Sequence, residues 1–515
     1  MTGDRRDGFR VRAALASALV VLIGACSSAS PSTVVSSSTV SSSTTGIASA
    51  KTSADWPLPG QNYDNARAAI GGRITRATIQ RLKVAFKAAV PGLGALSTAP
   101  LVVGGTVFVQ GSTGVVIALD RTSGKVRWTS AATGFNIGPF GVAVASGRVF
   151  SDDGSTGVLA LDAQTGKPLW HRHLSATKTL GVDIQPTVFD GTVLASTVPV
   201  SISGIYTPGD RGTLYALDAT TGAVRWSFDT VKGDLWGHPE VNSGGGAWYP
   251  PAIDVKRHIV YFGTANPAPF PGIAQYPNGT SRPGANLYTD SLVALDISTG
   301  KLRWYHQVTA HDLFDRDQVH AMLAHVAGGR EVVVSAGKSG EVVGLDPDTG
   351  RVLWQRPVGK HQHDTDRTLK GPTEVYPGTY GGIETPPATA DGVAYVATLN
   401  SPTKLEPDKP SYFGSQLGTG KGEVVAINAA NGHVVWDTTV PGDPLGGATV
   451  VNDLVFTALL DGTVVALRRD TGAIVWRYKA DGGINGWLSA TADTLYVPVG
   501  QSNPPQILAL RLPAS

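Results

Sequence analysis

One phrase recurs along this 515-residue chain and restricts its fold more than any other feature. In the first copy, the apolar pair Ala118-Leu119 leads into Asp120, a short turn that ends at Gly124, and a second segment that ends at Trp128. Because glycine supplies the positive φ that a tight turn needs, each copy predicts a β-hairpin with a tryptophan near its end. The pattern returns six more times, ending at Trp170, Trp226, Trp304, Trp354, Trp436 and Trp476.

The spacing of these tryptophans predicts a β-propeller. Neighbouring copies lie 40 to 82 residues apart, and strand-rich repeats of roughly 40–50 residues are typical of propeller blades rather than helical solenoids. The 63 glycines and 33 prolines favour many short strands joined by turns. The two longest intervals end at Trp304 and Trp436 and indicate insertions, which is where propellers keep their chemistry.

The elements of an eighth repeat are divided between two distant segments. Ile507–Leu512 repeats the strand before the turn, and Leu82–Phe86 repeats the strand after it, with phenylalanine in the place of tryptophan. Pairing of these segments would close the ring and leave no free sheet edge. We therefore predict an all-β, eight-bladed propeller over residues 55–515, closed by pairing of its N- and C-terminal strands.

The first 54 residues predict export and a lipid anchor. Four arginines precede the apolar run Ala13–Ile23, a pattern typical of a secretory signal and too short to span a bilayer. The next residues, Gly24-Ala25-Cys26, resemble a bacterial lipobox; the alternative is an ordinary cleaved signal. We predict a lipoprotein signal peptide over 1–25, lipidation of Cys26, and a Ser/Thr-rich flexible linker over 26–54. The protein would then be exported and anchored to the outer face of the cell membrane, in the bacterial envelope.

Charge and cysteine content exclude several classes of protein. Once residues 1–25 are set aside, basic and acidic residues are equal in number, so the chain lacks the basic field that nucleic-acid binding requires. Cys26 is the only cysteine. This sequence therefore contains no intrachain disulfide, CxxC zinc site or CxxCH haem attachment.

The repeat resembles the tryptophan-docking motif of the quinoprotein propellers, best known from alcohol dehydrogenases that use pyrroloquinoline quinone (PQQ). The opening Asp55-Trp56-Pro57, with Gly60, Arg67 and then Leu82–Phe86, is similar to the start of these enzymes. The resemblance covers all of residues 55–515. By itself it implies only the fold, because the same blade occurs in non-catalytic scaffold propellers of the bacterial envelope.

Two residues of the first insertion resemble the cofactor floor of this family. Trp248 follows Gly244-Gly245-Gly246 and precedes Asn266 by 18 residues. In methanol-dehydrogenase-like members, the tryptophan is the surface on which PQQ stacks, and the asparagine is a metal ligand. The resemblance implies these roles for Trp248 and Asn266. The alternative is a core tryptophan and an asparagine in a turn.

The segment after Trp304 resembles the catalytic segment of the family, His-Asp-x-aromatic-Asp. It implies that Asp315 is the catalytic base and a metal ligand, and that Asp317 is the extra carboxylate of lanthanide-dependent members. Lys338 stands where the family places a basic residue over the quinone oxygens, where it would stabilise the reduced quinone. The alternatives are a solvated acidic turn and a surface lysine.

Other positions depart from the family pattern. The stretch 204–212 lacks the glutamate that serves as a metal ligand, and 135–142 lacks the arginine that meets a quinone carboxylate. Residues Gly381–Thr385 read Gly-Gly-Ile-Glu-Thr where the family often has Gly-Gly-x-Asn-Trp. The metal-and-base half of the site is therefore better matched than the half that binds the quinone carboxylates.

These features lead to two hypotheses. The first is a PQQ-dependent dehydrogenase, using Ca²⁺ or a lanthanide, that oxidises a small alcohol or polyol outside the membrane and passes electrons to a separate cytochrome or membrane quinone. The second is a non-enzymatic, surface-anchored propeller scaffold or binding protein with a degenerate quinone site. The ordered series Trp248, Asn266, Asp315, Asp317 and Lys338 favours the enzyme.

Overall fold

The computed structural model describes residues 54–135, 138–200, 206–410, 417–418 and 420–514. All of them belong to the second of two compact units, Ser49–Ser515. Cys26 and most of the predicted linker lie outside the described residues, so the domain boundaries at 25 and 54 stay predictions. No helix in the described part of the chain has the length and apolar character needed to cross a membrane.

Seven antiparallel sheets, here called blades 1 to 7, follow one another along the chain. Each is built from four strands in sequence order, and the fourth strand is the most exposed and forms the outer edge. The strands of blades 1 to 4 are Leu101–Val103, Thr106–Gln110, Val116–Asp120 and Val126–Thr129; Val142–Ala145, Arg148–Asp152, Gly157–Asp162 and Pro168–His173; Thr187–Phe189, Thr192–Pro199, Arg211–Asp218 and Val224–Asp229; and Ala252–Asp254, Ile259–Gly263, Ser291–Asp296 and Leu302–Gln307.

Blades 5 to 7 continue the series: His320–Val326, Arg330–Ala336, Glu341–Leu345 and Val352–Pro357; Ala388–Ala390, Val393–Leu399, Gly422–Asn428 and Val434–Val440; and Thr449–Val451, Leu454–Ala458, Thr463–Arg468 and Ile474–Lys479. Within the described ranges, six further strands lie outside the four-stranded pattern. Leu180–Val182, Ser243–Gly245 and Pro267–Ala268 extend blade 3, Ala68–Ala69 extends blade 7, and Thr373–Val375 pairs with Thr403–Leu405 in a separate two-stranded sheet. Four short 3₁₀ turns occur at Ile79–Arg81, Leu235–Gly237, Pro277–Gly279 and Ala327–Gly329.

The number of blades differs from the sequence prediction. Seven blades, not eight, carry the complete tryptophan repeat and are formed by consecutive strands. The other four strands, Ser489–Ala490, Thr494–Val499, Gln506–Arg511 and Lys83–Ala89, form a composite sheet, here called the closing sheet, to which both ends of the unit contribute. Phe86 takes the place of tryptophan in this sheet. The prediction of eight repeat blades is corrected for this reason.

Six of the seven repeat tryptophans, those of blades 1 to 6, join one blade to the next. A Cβ added to the turn glycine of the following blade would lie only 2.5–2.7 Å from the ring, so the ring packs directly on the glycine. The indole N–H donates to a backbone carbonyl of the same turn at 2.8–3.1 Å. Phe86 packs on Gly124 in the same way and links the closing sheet to blade 1. In blades 2 to 6, each copy of the repeat therefore supplies a glycine to the preceding tryptophan and a tryptophan to the following glycine, which is consistent with the constant separation of four residues between glycine and tryptophan within a copy, as at Gly166 and Trp170.

Candidate functional site

The predicted site residues all lie in loops on one side of the propeller. In a four-stranded antiparallel blade, the loop between the second and third strands and the loop leading to the next blade emerge on the same side. Asn266 and Lys338 follow the second strands of blades 4 and 5. Trp248 precedes blade 4, and the segment 309–317 joins blades 4 and 5. The topology therefore brings residues that are 90 positions apart to one region.

Lys338 lies between the two predicted carboxylates. Its Nζ is 3.1 Å from Oδ2 of Asp315 and 2.8 Å from Oδ2 of Asp317. All three side chains are largely enclosed, with exposed fractions of 12%, 13% and 2%, respectively. The backbone N–H of Asn266 donates to the other oxygen of Asp317 at 2.6 Å. Four of the five predicted residues thus form one connected group, which argues against an exposed acidic turn and a surface lysine.

A third aspartate, Asp312, shapes the loop that presents these carboxylates. Asp312 accepts hydrogen bonds from the backbone N–H groups of Phe314 and Arg316, at 2.7 and 2.8 Å. These bonds fold the loop tightly, and Asp315 adopts the left-handed conformation with a φ of 65°. The Arg316 guanidinium donates to the Pro377 carbonyl at 2.9 Å and fixes the end of the loop. Such backbone strain persists where the surroundings hold it, and it is common at functional sites.

Trp248 packs beside this group rather than bonding to it. Its ring contacts a small apolar cluster that includes Tyr249, Val319 and Trp487, and Val319 is two residues beyond Asp317. On another side the ring meets Gly138, where a Cβ would lie 2.7 Å from the ring atoms. Glycine at this point lets the backbone pack directly on the ring.

Burial and mutual charge determine the protonation of the group. Burial raises the pKa of Asp315 well above its usual value, and Asp317 adds to this effect while Lys338 opposes it. Burial also acts to lower the pKa of Lys338, but the attraction of Asp315, Asp317 and Glu384 outweighs it and the pKa is raised well above the usual value. Lys338 therefore stays charged, and the carboxylate of Asp315 accepts a proton more readily than that of an ordinary aspartate.

Glu384 is a site residue that the sequence analysis missed. Burial raises its pKa to about 7, against the attraction of Lys338 and with the repulsion of Asp317. Its Oε2 is enclosed and has no hydrogen-bond partner among the described residues, and the Tyr249 hydroxyl donates to its backbone carbonyl. In the sequence, residues 381–385 stood out only as a departure from the family pattern. The signal was a carboxylate two residues after the Gly381-Gly382 pair, in a loop on the site's side of the propeller.

The side chains of this group have the oxygen donors that a hard cation binds, but in the described part of the chain the carboxylates of Asp315, Asp317 and Glu384 do not all come within 4.8 Å of one another, so an ion would have to draw them together. Asp315, Asp317 and Glu384 supply carboxylate oxygens, which Ca²⁺ and similar ions prefer. The Asn266 amide nitrogen donates to the Pro267 carbonyl at 3.0 Å, so the amide oxygen is the side-chain atom left to bind a cation. Three carboxyl groups surround the single ammonium of Lys338, so a further positive charge would improve the charge balance of the group. A metal held by both aspartates would require Lys338 to give up at least one of its ion pairs.

Comparisons with known proteins agree with this architecture. Residues 173–370 match the family model described as "Glucose/ethanol/alcohol dehydrogenase, beta-propeller domain". Residues 64–197 and 376–510, which together exceed half of the chain, match the model described as "Outer membrane protein assembly factor BamB". The chain belongs to the PQQ-dependent alcohol dehydrogenase-like β-propeller family.

Individual relatives support this assignment. The quinohemoprotein alcohol dehydrogenase of Comamonas testosteroni is 27% identical over 511 residues, covering 85% of this chain and 71% of the relative. A crystal structure of quinohemoprotein alcohol dehydrogenase from that organism superposes with a TM-score of 0.77 at 23% identity, covering 90% of this chain and 82% of the other. A europium-containing methanol dehydrogenase gives a TM-score of 0.75 at 22% identity, covering 89% and 98%. The structural matches support the fold.

Proposed function

We propose that this member of the family is a PQQ-dependent dehydrogenase that oxidises a small primary or secondary alcohol or a polyol outside the membrane. The observation that carries the proposal is the enclosed group in which Lys338 contacts both Asp315 and Asp317. A scaffold gains little from burying two carboxylates, because desolvation largely offsets their attraction to one lysine. The names of the relatives, alcohol and methanol dehydrogenases, point to the same chemistry.

Asp315 would act as the base in this proposal. The carboxylate would take the proton of the substrate hydroxyl at its Oδ2, the atom that now contacts Lys338. Its raised pKa brings it closer to the working pH, which favours proton transfer. Because burial is the main cause of that shift, the same enclosure would exclude bulk water from the reacting alcohol.

The other residues would hold the cofactor and metal. Asn266, Asp315 and Asp317 would bind Ca²⁺ or a lanthanide, and Trp248 would carry the flat face of the quinone. Bound PQQ supplies the acceptor for hydride, and the metal supplies Lewis-acid polarisation. Lys338 would balance negative charge at this end of the site. A separate cytochrome or membrane quinone would receive the electrons, and Cys26 would carry the lipid anchor to the outer face of the cell membrane.

Cofactor binding by the full-length protein tests the proposal. PQQ is titrated with Ca²⁺ or La³⁺ and followed by quinone absorbance and by the thermal unfolding midpoint. We expect metal-dependent binding that is lost in Trp248→Ala and in Asp317→Asn. Asp461→Asn, which removes an exposed carboxylate of a surface ion pair, should leave binding unchanged. Turnover of alcohols with an artificial electron acceptor should then be lost in Asp315→Asn.

One observation favours a second function. The model named for an outer-membrane assembly factor matches 64–197 and 376–510, blades on both sides of the candidate site. A non-enzymatic scaffold anchored at the cell surface would have such blades without a working quinone site. Failure of well-folded protein to bind PQQ with either metal would reject the dehydrogenase and favour the scaffold.

A further inference from the structure

A second group of polar side chains lies at the outer edge of blade 2, away from the residues of the candidate site. It consists of Asp153, in the loop between the second and third strands, and of His171 and His173 on the exposed fourth strand, Pro168–His173. One ligand atom from each residue lies within 4.8 Å of the other two. We propose that these three residues bind a divalent transition-metal ion such as Zn²⁺.

Asp153 is held in place before any ion arrives. Its Oδ1 accepts hydrogen bonds from the backbone N–H groups of Ser155 and Gly157, at 2.8 and 2.9 Å. The side chain is only 5% exposed. The bonds use one carboxylate oxygen and aim the other, Oδ2, at the histidines. Such outer bonds to a ligating carboxylate are typical of metal sites, since they fix its orientation.

The two histidines converge on that oxygen. His171 Nε2 is 2.8 Å and His173 Nδ1 is 3.9 Å from Oδ2 of Asp153. They are two residues apart on one strand, so their side chains share a face, and their ring centroids are 4.3 Å apart. Ligand atoms of a tetrahedral zinc site are about 3.3 Å apart, given bonds of about 2.0–2.1 Å. The observed separations lie on either side of this value, so small rotations would suffice.

The backbone opposite leaves space for this arrangement. Gly157 pairs with His173 across the two strands. A Cβ at Gly157 would lie 2.8 Å from Oδ2 of Asp153 and 3.0 Å from Nε2 of His171. Any side chain there would fill the point on which the three ligands converge. Glycine keeps it open.

The ligand chemistry separates this site from the candidate catalytic site. Imidazole nitrogens with one carboxylate suit Zn²⁺, Cu²⁺ or Ni²⁺, whereas an all-oxygen set suits Ca²⁺ and lanthanides. Both groups lie in or beside loops on the same side of the propeller. Blade 2 supplies the Asp153 group, whereas blades 4 and 5 supply the candidate catalytic group. An ion at blade 2 would join the outer strand to the loop 153–157 and stabilise the edge of the blade.

Zinc binding by the full-length protein tests the inference. Metal is removed with a chelator, and Zn²⁺ is titrated by calorimetry in the presence of excess Ca²⁺, with Co²⁺ absorbance as a report on coordination. We expect one zinc equivalent whose affinity falls at least about 100-fold in His171→Gln/His173→Gln, because loss of even an outer partner costs 10- to 100-fold. The thermal midpoint of the metal-free variant should match that of the metal-free parent.

The chain offers a matched control in His361 and His363. These histidines are also two residues apart, but each contacts its own carboxylate, Asp364 at 2.6 Å and Asp366 at 3.1 Å. Because they do not converge on one atom, His361→Gln/His363→Gln should leave zinc affinity unchanged. Equal affinity in the parent and in the His171/His173 variant would overturn the inference, as would equal losses in both double variants.

Discussion

Removal of the Lys338 charge tests whether the candidate site is held together by one buried cation. Lys338→Met keeps most of the unbranched side chain but leaves Asp315 and Asp317 without their shared partner. Removing one member of a buried ion pair typically costs about 3–5 kcal/mol. One carboxylate can instead take up a proton. At pH 7 this costs about 4 kcal/mol for a group that is ionised in the unfolded chain, so the loss of unfolding free energy is limited to about that value.

The sign of the pH dependence follows from the same reasoning. In Lys338→Met, a carboxyl of the folded protein has a pKa raised above that of the unfolded chain, so folding takes up a proton. The penalty is therefore largest at neutral pH and falls by about 1.4 kcal/mol for each pH unit on the way down to about pH 4. Urea unfolding in the presence of a chelator, at pH 7 and at pH 5, measures both values.

A double-mutant cycle and a surface control complete the test. Asp317→Asn in the Lys338→Met background should recover about 1–3 kcal/mol relative to the sum of the single losses, since the orphaned charge is removed. Lys479 makes an ion pair of the same 2.8 Å length with Asp461, but these side chains are 61% and 58% exposed. Lys479→Met should cost less than about 1 kcal/mol. Additive single losses, or equal losses for the two lysines, would refute the reasoning.

Further predictions concern the blades and a surface histidine. Gly222→Ala should lower the unfolding free energy more than Gly328→Ala. Gly222 has a φ of +70°, and the new Cβ would lie 2.7 Å from the Trp170 ring, whereas Gly328 has a φ of +77° and nothing within 4 Å, so its loss of about 1–2 kcal/mol reports backbone strain alone. Equal losses would mean that the Trp170 ring moves aside. Trp226→Phe should cost about 1–3 kcal/mol in denaturant unfolding, because it removes a buried indole hydrogen bond of 2.9 Å. The hydrogen bond to Asp364 raises the pKa of His361. The parent should therefore be more stable than His361→Gln below about pH 6.5, and this difference in unfolding free energy should disappear as the pH rises through the raised pKa. A constant difference from pH 6 to pH 9 would contradict this.

The propeller could be predicted from the sequence because the residues that join neighbouring blades, a tryptophan and a turn glycine, recur in a short pattern. A docking tryptophan needs a glycine of the next turn beneath it, as Trp226 packs on Gly300. Within each copy the glycine precedes the tryptophan by four residues, as at Gly300 and Trp304, and this constant spacing is visible in the sequence. The predicted number of blades was wrong because the segments at the two ends were counted as an eighth repeat, whereas they pair in a composite sheet that lacks the complete tryptophan repeat. Phe86 satisfies the packing on Gly124, but the sheet it belongs to is assembled from distant segments.

The candidate site was predictable only in part. Asp315, Asp317 and Lys338 were found through resemblance, and their contact follows from the side on which the loops emerge. Glu384 was missed because its segment departs from the family pattern, and its role depends on burial, which no local pattern encodes. The Asp153 group was missed for a similar reason. His171 and His173 are unremarkable in sequence, and only the turn at 153–157 brings a carboxylate to them.

The closing sheet has a consequence for the order of events during synthesis. Lys83–Ala89 pairs with Gln506–Arg511, and more than 400 residues separate them. At about 5–20 residues per second, translation would need about 20–80 s to supply the partner of a strand that is already made. During that interval an unpaired edge would remain open to association with other chains. Protection of this early strand, rather than formation of any single blade, is then the step at which production of the protein is most vulnerable.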